Sequence, residues 1–135
     1  SEDSKTVTRH WESGKFNPNK FKYGWMPPHP TFFVKRKIYE AFGRYDSGFA
    51  ISGDYELMLR FLYKYGVSTA YLPEVVVRMR NGGVSNANFV QSRWKAIQED
   101  RLAWDMNDLN IKLYTRILKP IRKIEQYRNQ LTAIF

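Results

Sequence analysis

The feature that most restricts the fold is an apolar stretch at residues 54–65, which ends at Gly66. Its apolar side chains would surround a helix on most sides: Leu57, Met58, Leu59, Phe61, Leu62 and Tyr65. A helix that is apolar nearly all round must be enclosed by other parts of the protein. The chain has 135 residues, enough for one domain with this helix at its centre.

Further helices are predicted on both sides of this stretch. Residues 37–42 form a short helix, with Gly43 in the position of a C-terminal cap. Residues 88–106 form a long helix. Its apolar stripe consists of Val90, Trp94, Ile97 and Trp104. A last amphipathic helix begins near Ile111 and is kinked or divided at Pro120.

Extended segments are expected between the helices. Three prolines hold residues 26–30 extended, and residues 31–34 then form a short strand. Residues 67–80 form a strand that is broken at Pro73, and a flexible glycine-containing loop follows. The predicted class is α/β, in an α+β form here, with few short strands, several helices and a helical C-terminal tail.

The basic charge of the chain is concentrated near its C-terminus. The net charge is +9, from 22 Lys and Arg against 13 Asp and Glu. Beyond Asn110 the charged residues are Lys112, Arg116, Lys119, Arg122, Lys123 and Arg128 against Glu125, which leaves +5 in the tail and +4 elsewhere. A basic amphipathic tail indicates an anionic membrane surface as a partner, bound through residues 110–128.

Several classes of protein are excluded by the composition. Without cysteine the chain has neither disulfides nor cysteine-based zinc sites. It has no run of about 18 apolar residues that would cross a membrane, and its polar start does not resemble a signal peptide. We expect a cytoplasmic location, with peripheral binding to the inner face of the cell membrane. The sequence lacks an initiator Met, so either that residue was removed or the chain is a piece of a longer protein.

The residues that carry chemistry lie between His29 and Arg60, in a fixed order. The sequence reads His-Pro-Thr-Phe-Phe at residues 29–33, Tyr-Glu-Ala-Phe-Gly-Arg-Tyr-Asp at 39–46, and Ile-Ser-Gly-Asp-Tyr-Glu-Leu at 51–57. This succession resembles the second half of the family-2 glycosyltransferases, which have the GT-A fold. The resemblance covers residues 25–105 and depends on order and spacing.

The resemblance implies that Asp54 is the general base, which takes the proton of the acceptor hydroxyl as its oxygen attacks the sugar. Gly53 would allow a close approach at this point. The alternative is that Asp54 only caps a helix, since aspartate is favoured there.

The resemblance also implies a set of substrate-binding residues. They are His29, Thr31, Glu56, Arg78, Arg80, Gly82, Gly83 and Ser85, with the last five in a strand and loop that close over the nucleotide diphosphate. His29 is also a candidate metal ligand, and its alternative is a structural loop residue. The alternative for Glu56 is pairing with Arg60 at i+4. Asp46 is expected to cap a turn.

Two short motifs are not assigned to a site. Glu99 and Asp100 lie in the middle of a predicted helix without a glycine turn, so we expect a solvated face. Residues 91–94 read Gln-Ser-Arg-Trp, one residue shorter than the Gln-x-x-Arg-Trp motif of processive synthases, so processivity is not inferred.

The nucleotide-binding half of the family is not apparent in the sequence, because no Asp-x-Asp motif and no βαβ repeat precede His29. Residues 1–106 are therefore expected to be the C-terminal, acceptor-side half of a transferase domain, and residues 107–135 its basic tail. The full protein would use a nucleotide-sugar donor, a glycan or lipid-linked acceptor and Mn²⁺ or Mg²⁺. This chain alone would bind no metal, and its uncovered faces would favour self-association.

Two functions without catalysis compete with this interpretation. A basic chain rich in aromatic residues can bind nucleic acid, but the charge lies in the tail and no nucleic-acid-binding motif is present, so we expect no nucleic-acid partner. The other alternative is a membrane-docking module. An upstream α/β region containing Asp-x-Asp would distinguish a transferase from both.

Overall fold

The computed structural model describes residues 11–79 and 89–110, which are mostly helical. The elements in chain order are a 3₁₀ helix at Pro18–Tyr23, a 3₁₀ turn at His29–Thr31, helix α1 at Arg36–Phe42, helix α2 at Gly53–Met58, a π-helical segment at Leu59–Lys64, and helix α3 at Phe89–Met106. These residues include no β-strand, so the strands of the predicted α/β class are not found in this part of the chain.

The prediction of two strands, at residues 31–34 and 67–80, is wrong within the described residues. Residues 29–31 form a 3₁₀ turn, which proline tolerates in a first turn, and residues 32–35 have no regular structure. Residues 67–79 also lack regular structure, and Val75 is 67% exposed. Strands are defined by hydrogen bonds to a neighbour, and the described residues supply no strand that could pair with either segment.

Helix α2 and the π-helical segment form the centre of the core, as the apolar stretch predicts. Their fully or nearly fully buried side chains are Tyr55, Glu56, Leu57, Met58, Leu59, Phe61 and Leu62. Each large apolar side chain buried in this way contributes about 1.5–3 kcal/mol. The segment ends at Tyr65 and Gly66, where a positive φ of 60° turns the chain away.

Helix α3 packs against α2 through a face that includes Trp104 of the predicted stripe but not Trp94 or Ile97. Its buried side chains are Glu99, Ala103 and Trp104, followed by Asn107 just beyond the helix. The Trp104 indole Nε1–H donates to the hydroxyl of Tyr55 at 2.8 Å. The predicted stripe through Trp94 and Ile97 is wrong, because these side chains are 65% and 38% exposed. The packed face contains the buried polar residues Glu99 and Asn107, so the spacing of apolar residues alone did not identify this face.

Helix α1 ends at a glycine cap, as predicted. Gly43 has φ 87°, and its N–H donates to the Tyr39 carbonyl at 2.9 Å. A Cβ at this position would lie 3.0 Å from Nη1 of Arg60. Glycine is therefore required both by the backbone conformation and by the close approach of the arginine.

The predicted basic tail lies almost entirely outside the described residues, which end at Asn110. Its helical structure and the kink at Pro120 therefore stay predictions. Among the helices that the structure describes, none is both long and apolar enough to cross a membrane.

Candidate active site

His29 and Asp54, which are 25 positions apart in the sequence, meet at the surface of the domain. Nδ1 of His29 lies 3.0 Å from Oδ2 of Asp54. The histidine side chain is 51% exposed and the aspartate side chain 23% exposed. The pair is thus held together while it remains open to a ligand from solvent.

A short 3₁₀ turn carries His29. The N–H of Thr31 donates to the Pro28 carbonyl at 3.1 Å, and its Oγ1–H donates to the same carbonyl at 3.0 Å. The N–H of Phe32 donates to the His29 carbonyl at 3.1 Å. Thr31, predicted to bind substrate, thus has a structural role in fixing the backbone of the histidine.

The first turn of α2 carries Asp54. The helix begins at Gly53, and Ser52 takes the N-cap position without a side-chain cap bond. Asp54 Oδ1 accepts the N–H of Tyr55 at 2.8 Å. Asp54 is therefore not the N-cap residue, although its negative charge suits the positive end of a helix. A Cβ on Gly53 would make only ordinary contact, 3.5 Å from Cβ of Phe49, so the close approach that glycine would allow is not used by the described residues.

Tyr45 lies beside the His29–Asp54 pair and was not predicted as a site residue. Partial burial raises the pKa of its hydroxyl above the ordinary 10.0, and the nearby Tyr39 and Asp54 raise the pKa further. The hydroxyl therefore stays protonated at neutral pH and can donate a hydrogen bond. The turn that follows Tyr45 contains Asp46, whose Oδ1 accepts the Gly48 N–H at 2.8 Å, as expected of a turn cap.

Glu56 lies in a buried ion pair with Arg60, which confirms the i+4 pairing. The arginine Nε and Nη2 contact the two carboxylate oxygens at 2.8 and 3.0 Å. Nδ2 of Asn107 donates to Glu56 Oε1 at 3.1 Å. Because Glu56 is only 3% exposed and has these partners, we assign it to holding the helices together rather than to direct substrate contact.

Arg60 also links α2 to the end of α1. Its Nη1 donates to the Phe42 carbonyl and its Nη2 donates to the Arg44 carbonyl at 2.7 Å. These bonds satisfy backbone oxygens at a helix end that would otherwise lack a partner. The loop that begins at Arg44 and contains Tyr45 is thereby fixed next to the helix that carries Asp54.

The expectation of a solvated face at Glu99 is wrong. Glu99 is 7% exposed, and its carboxylate accepts the N–H groups of Ala50, Ile51 and Ser52 at 3.0, 2.8 and 2.7 Å. Burial alone would raise its pKa, but the three backbone donors and the charge of Lys95 outweigh burial, so the pKa lies below its usual range. A sequence signal existed: Ala96 and Ala103 are small neighbours at i−3 and i+4 on the same face.

Of the predicted diphosphate-binding residues, the structure describes only Arg78. Arg78 is exposed on a segment without regular structure. The remaining members, Arg80, Gly82, Gly83 and Ser85, lie outside the described residues. Their proposed contact with a nucleotide diphosphate stays a prediction.

His29 and Asp54 do not by themselves form a metal centre. Divalent metal sites in proteins take three or more protein ligands or keep waters and substrate oxygens around one or two carboxylates. The described part of the chain contains no group of three or more His, Cys, Asp or Glu side chains that could hold an ion. Nδ1 of His29 lies 3.0 Å from Asp54, and a metal-binding role for His29 stays a prediction.

Comparisons with protein-family models, with curated proteins and with solved structures find no match to this chain. Among the described residues, Asp54 stands out as a carboxylate that contacts a histidine and a backbone N–H of its own helix while it remains accessible.

Proposed function

We propose that this chain is the acceptor-side, C-terminal part of a glycosyltransferase resembling family 2, with a GT-A fold, and that Asp54 is its general base. The observation that carries the proposal is the contact between His29 and Asp54 at 3.0 Å. Both residues belong to the ordered motifs on which the resemblance depends. Their meeting in space supports a shared site that the sequence spacing alone would not require.

In the proposed reaction an acceptor hydroxyl attacks the anomeric carbon of a nucleotide sugar. The new C–O bond forms as the bond to the nucleotide diphosphate breaks, and the diphosphate leaves with the electron pair. The hydroxyl proton passes to the carboxylate of Asp54. Attack from the face opposite the leaving group inverts the configuration at the anomeric carbon.

The geometry of Asp54 is suited to this role. Nδ1 of His29 lies 3.0 Å from Oδ2, and the Tyr55 N–H donates to Oδ1. Each carboxylate oxygen accepts two hydrogen bonds, so an acceptor position remains for the incoming hydroxyl. These two contacts favour one orientation of the carboxylate, which general-base catalysis needs because the proton must be within hydrogen-bond reach.

The other groups that the reaction requires are proposed to lie outside the His29–Asp54 pair. The nucleotide-sugar contacts and a divalent Mn²⁺ or Mg²⁺ belong to an N-terminal nucleotide-binding half of the full-length protein. Arg78 and the loop that follows would contact the diphosphate. The acceptor is a glycan or a lipid-linked sugar. An isolated chain of these 135 residues is accordingly expected to be inactive.

The test is Asp54→Asn in the full-length protein. Asparagine keeps the shape and one acceptor oxygen but takes up no proton, so turnover should fall about 10²- to 10⁴-fold. Transfer from UDP- and GDP-sugars is measured beside donor affinity, which should be unchanged. Asp105→Asn is the matched control, since Asp105 is an exposed carboxylate paired only loosely with Arg101 at 3.6 Å. Near-normal turnover in Asp54→Asn would exclude the general-base role.

A further inference from the structure

Glu99 lies on α3 but makes its closest polar contacts with the segment that leads into α2. Three consecutive N–H groups, of Ala50, Ile51 and Ser52, converge on its two carboxylate oxygens at 2.7–3.0 Å. These residues are 47–49 positions away in the sequence. Ser52 is 5% exposed, and Glu99 is 7% exposed, so water has little access to the contact.

The carboxylate binds the three residues that lead into α2, and no local side chain supplies this contact. Ser52 occupies the N-cap position of α2, but its side chain makes no cap bond and its Oγ–H contacts the Ala96 carbonyl at 3.4 Å instead. Buried backbone donors without a partner are costly. A carboxylate near the start of a helix is also favoured by the helix dipole. Glu99 therefore accepts hydrogen bonds from the backbone N–H groups of the three residues that lead into α2.

Asp54 comes two residues after the last of these three donors. Gly53 and Asp54 form the first turn of α2, and Asp54 reaches His29 from this turn at 3.0 Å. A shift of the turn by a fraction of an ångström would change that distance. Since proton transfer requires hydrogen-bond reach, small misplacements of a catalytic group lower the rate steeply.

The rest of α2 has its own anchors on α3. Tyr55 bonds to Trp104, and Glu56 bonds to Asn107. The buried apolar side chains Leu57 and Leu59 add packing that does not involve Glu99. Loss of the Glu99 contact should therefore loosen the first turn of α2 while the remainder of the helix stays in place.

We infer that Glu99 is a positioning residue for the Asp54 site: its carboxylate fixes residues 50–52 and, through them, the carboxylate of Asp54 against His29. The inference deepens the proposed function and depends on it for its catalytic consequence. Its structural part, the control of the His29–Asp54 contact by α3, can be tested without substrate.

The structural test compares wild type, Glu99→Gln and Glu99→Asp in the full chain. Glutamine retains one acceptor oxygen but turns an NH₂ group towards backbone donors. Amide hydrogen exchange of residues 50–52 should accelerate about 10- to 100-fold in Glu99→Gln, as expected for the loss of charged hydrogen bonds. Aspartate keeps the charge on a shorter side chain and should restore part of the protection.

A second readout reports on the catalytic pair itself. The ring-proton signals of His29 should move in Glu99→Gln towards their positions in Asp54→Asn, with His10 as the other histidine signal for reference. Trp104→Phe is the control, because it removes the bond to Tyr55 and lowers stability without touching Glu99. In Trp104→Phe the His29 signals should be as in wild type. The exchange rate of residues 50–52, compared with the rate expected from global unfolding of the same variant, should also be as in wild type.

The catalytic consequence is measured by transfer from UDP- and GDP-sugars in the full-length protein. Glu99→Gln should lower kcat about 100-fold without changing KM for the donor, and Glu99→Asp should recover part of kcat. Each of three results in Glu99→Gln would overturn the positioning role. These are wild-type exchange at residues 50–52, unchanged His29 signals, and wild-type kcat under conditions in which Asp54→Asn is inactive. Full turnover in Asp54→Asn would instead reject the proposed function, whatever the exchange results.

Discussion

Asp54 combines two properties that a general base needs, a fixed carboxylate and access for a ligand. Its Oδ2 lies 3.0 Å from Nδ1 of His29, and its Oδ1 accepts the Tyr55 N–H at 2.8 Å. Its side chain remains 23% exposed. By contrast, Glu56 and Glu99 are nearly completely buried and hydrogen-bonded, which gives them structural roles. The exposure of its side chain together with its fixed orientation, rather than its charge, distinguishes Asp54 from Glu56 and Glu99.

At the residue scale, Thr31→Val separates the structural from the substrate-binding role of Thr31. Valine has a similar shape but lacks the hydroxyl that donates to the Pro28 carbonyl. We expect a loss of about 1 kcal/mol in the free energy of unfolding, measured in urea, and an unchanged acceptor KM. Thr69→Val, in an exposed segment, is the control and should change neither quantity. A raised acceptor KM at unchanged stability would show that Thr31 contacts substrate instead.

Sequence analysis identified His29 and Asp54 individually but could not show their contact. The motif order made each a candidate, whereas their distance depends on how the 3₁₀ turn and the first turn of α2 pack together. Glu99 was missed for a related reason. Its role arises from contacts with residues 47–49 positions away in the sequence, and a glutamate within a helix usually faces solvent.

At the scale of elements, Arg60 joins α1 to α2 through charged and backbone contacts. Arg60→Met should destabilise the protein by about 3–5 kcal/mol, because it leaves the buried carboxylate of Glu56 without its charge partner. The measurement is urea unfolding followed by circular dichroism. The carbonyl groups of Phe42 and Arg44 also lose their donors in this variant.

Arg36→Ala provides the matched control for this prediction. Arg36 forms the same type of i+4 pair, with Glu40 at 2.9 Å, but its side chain is 91% exposed. Exposed pairs contribute little, so stability should change by at most a few tenths of a kcal/mol. Equal effects in the two variants would mean that burial does not determine the contribution of the Glu56–Arg60 pair.

The lowered pKa of Glu99 makes its stabilising contribution depend on pH. A carboxylate whose pKa is lower in the folded state than in the unfolded state stabilises the fold above its unfolded-state pKa. This contribution is lost as the pH falls through the folded-state pKa, which lies below the ordinary 4.5. The difference in unfolding free energy between wild type and Glu99→Gln should be full at pH 7 and shrink below pH 4.5. A difference independent of pH would contradict the ionised contact.

Local sequence patterns predicted the helices better than the extended segments. Helical spacing and glycine caps are local, and they gave α1, α3 and the helix that spans Gly53–Met58 and Leu59–Lys64 within a residue or two. Strands depend on partners elsewhere in the chain. Residues 67–79 have strand-like alternation, yet residues 68–79 lie exposed and the described residues contain no strand that could pair with them.

At the scale of the whole molecule, the basic tail carries the prediction of membrane docking. The residues concerned, 111–135, lie outside the described part of the chain, so the argument is from sequence. An apolar stripe flanked by Lys and Arg favours binding at an anionic surface, and each basic residue near it contributes about 1 kcal/mol. Binding to liposomes should rise with the fraction of anionic lipid and fall with salt.

Replacing Lys119, Arg122 and Lys123 with glutamine should weaken this binding. The control replaces three basic residues outside the tail with glutamine and loses the same charge: Lys35, Arg36 and Lys37. Co-sedimentation is the measurement. Binding that does not respond to anionic lipid, or that responds equally to the two triple variants, would reject docking through the tail and favour packing of its apolar stripe within the protein.

The central claim is that His29 and Asp54 act as one unit in which the carboxylate takes the proton. A double-mutant cycle tests it: kcat for sugar transfer in the full-length wild type, His29→Asn, Asp54→Asn and the double variant. We predict a 10²- to 10⁴-fold loss for Asp54→Asn, a 10- to 100-fold loss for His29→Asn, and a double variant no slower than Asp54→Asn. Losses that multiply would show independent residues, and a loss in His29→Asn as large as that in Asp54→Asn would make the imidazole the base.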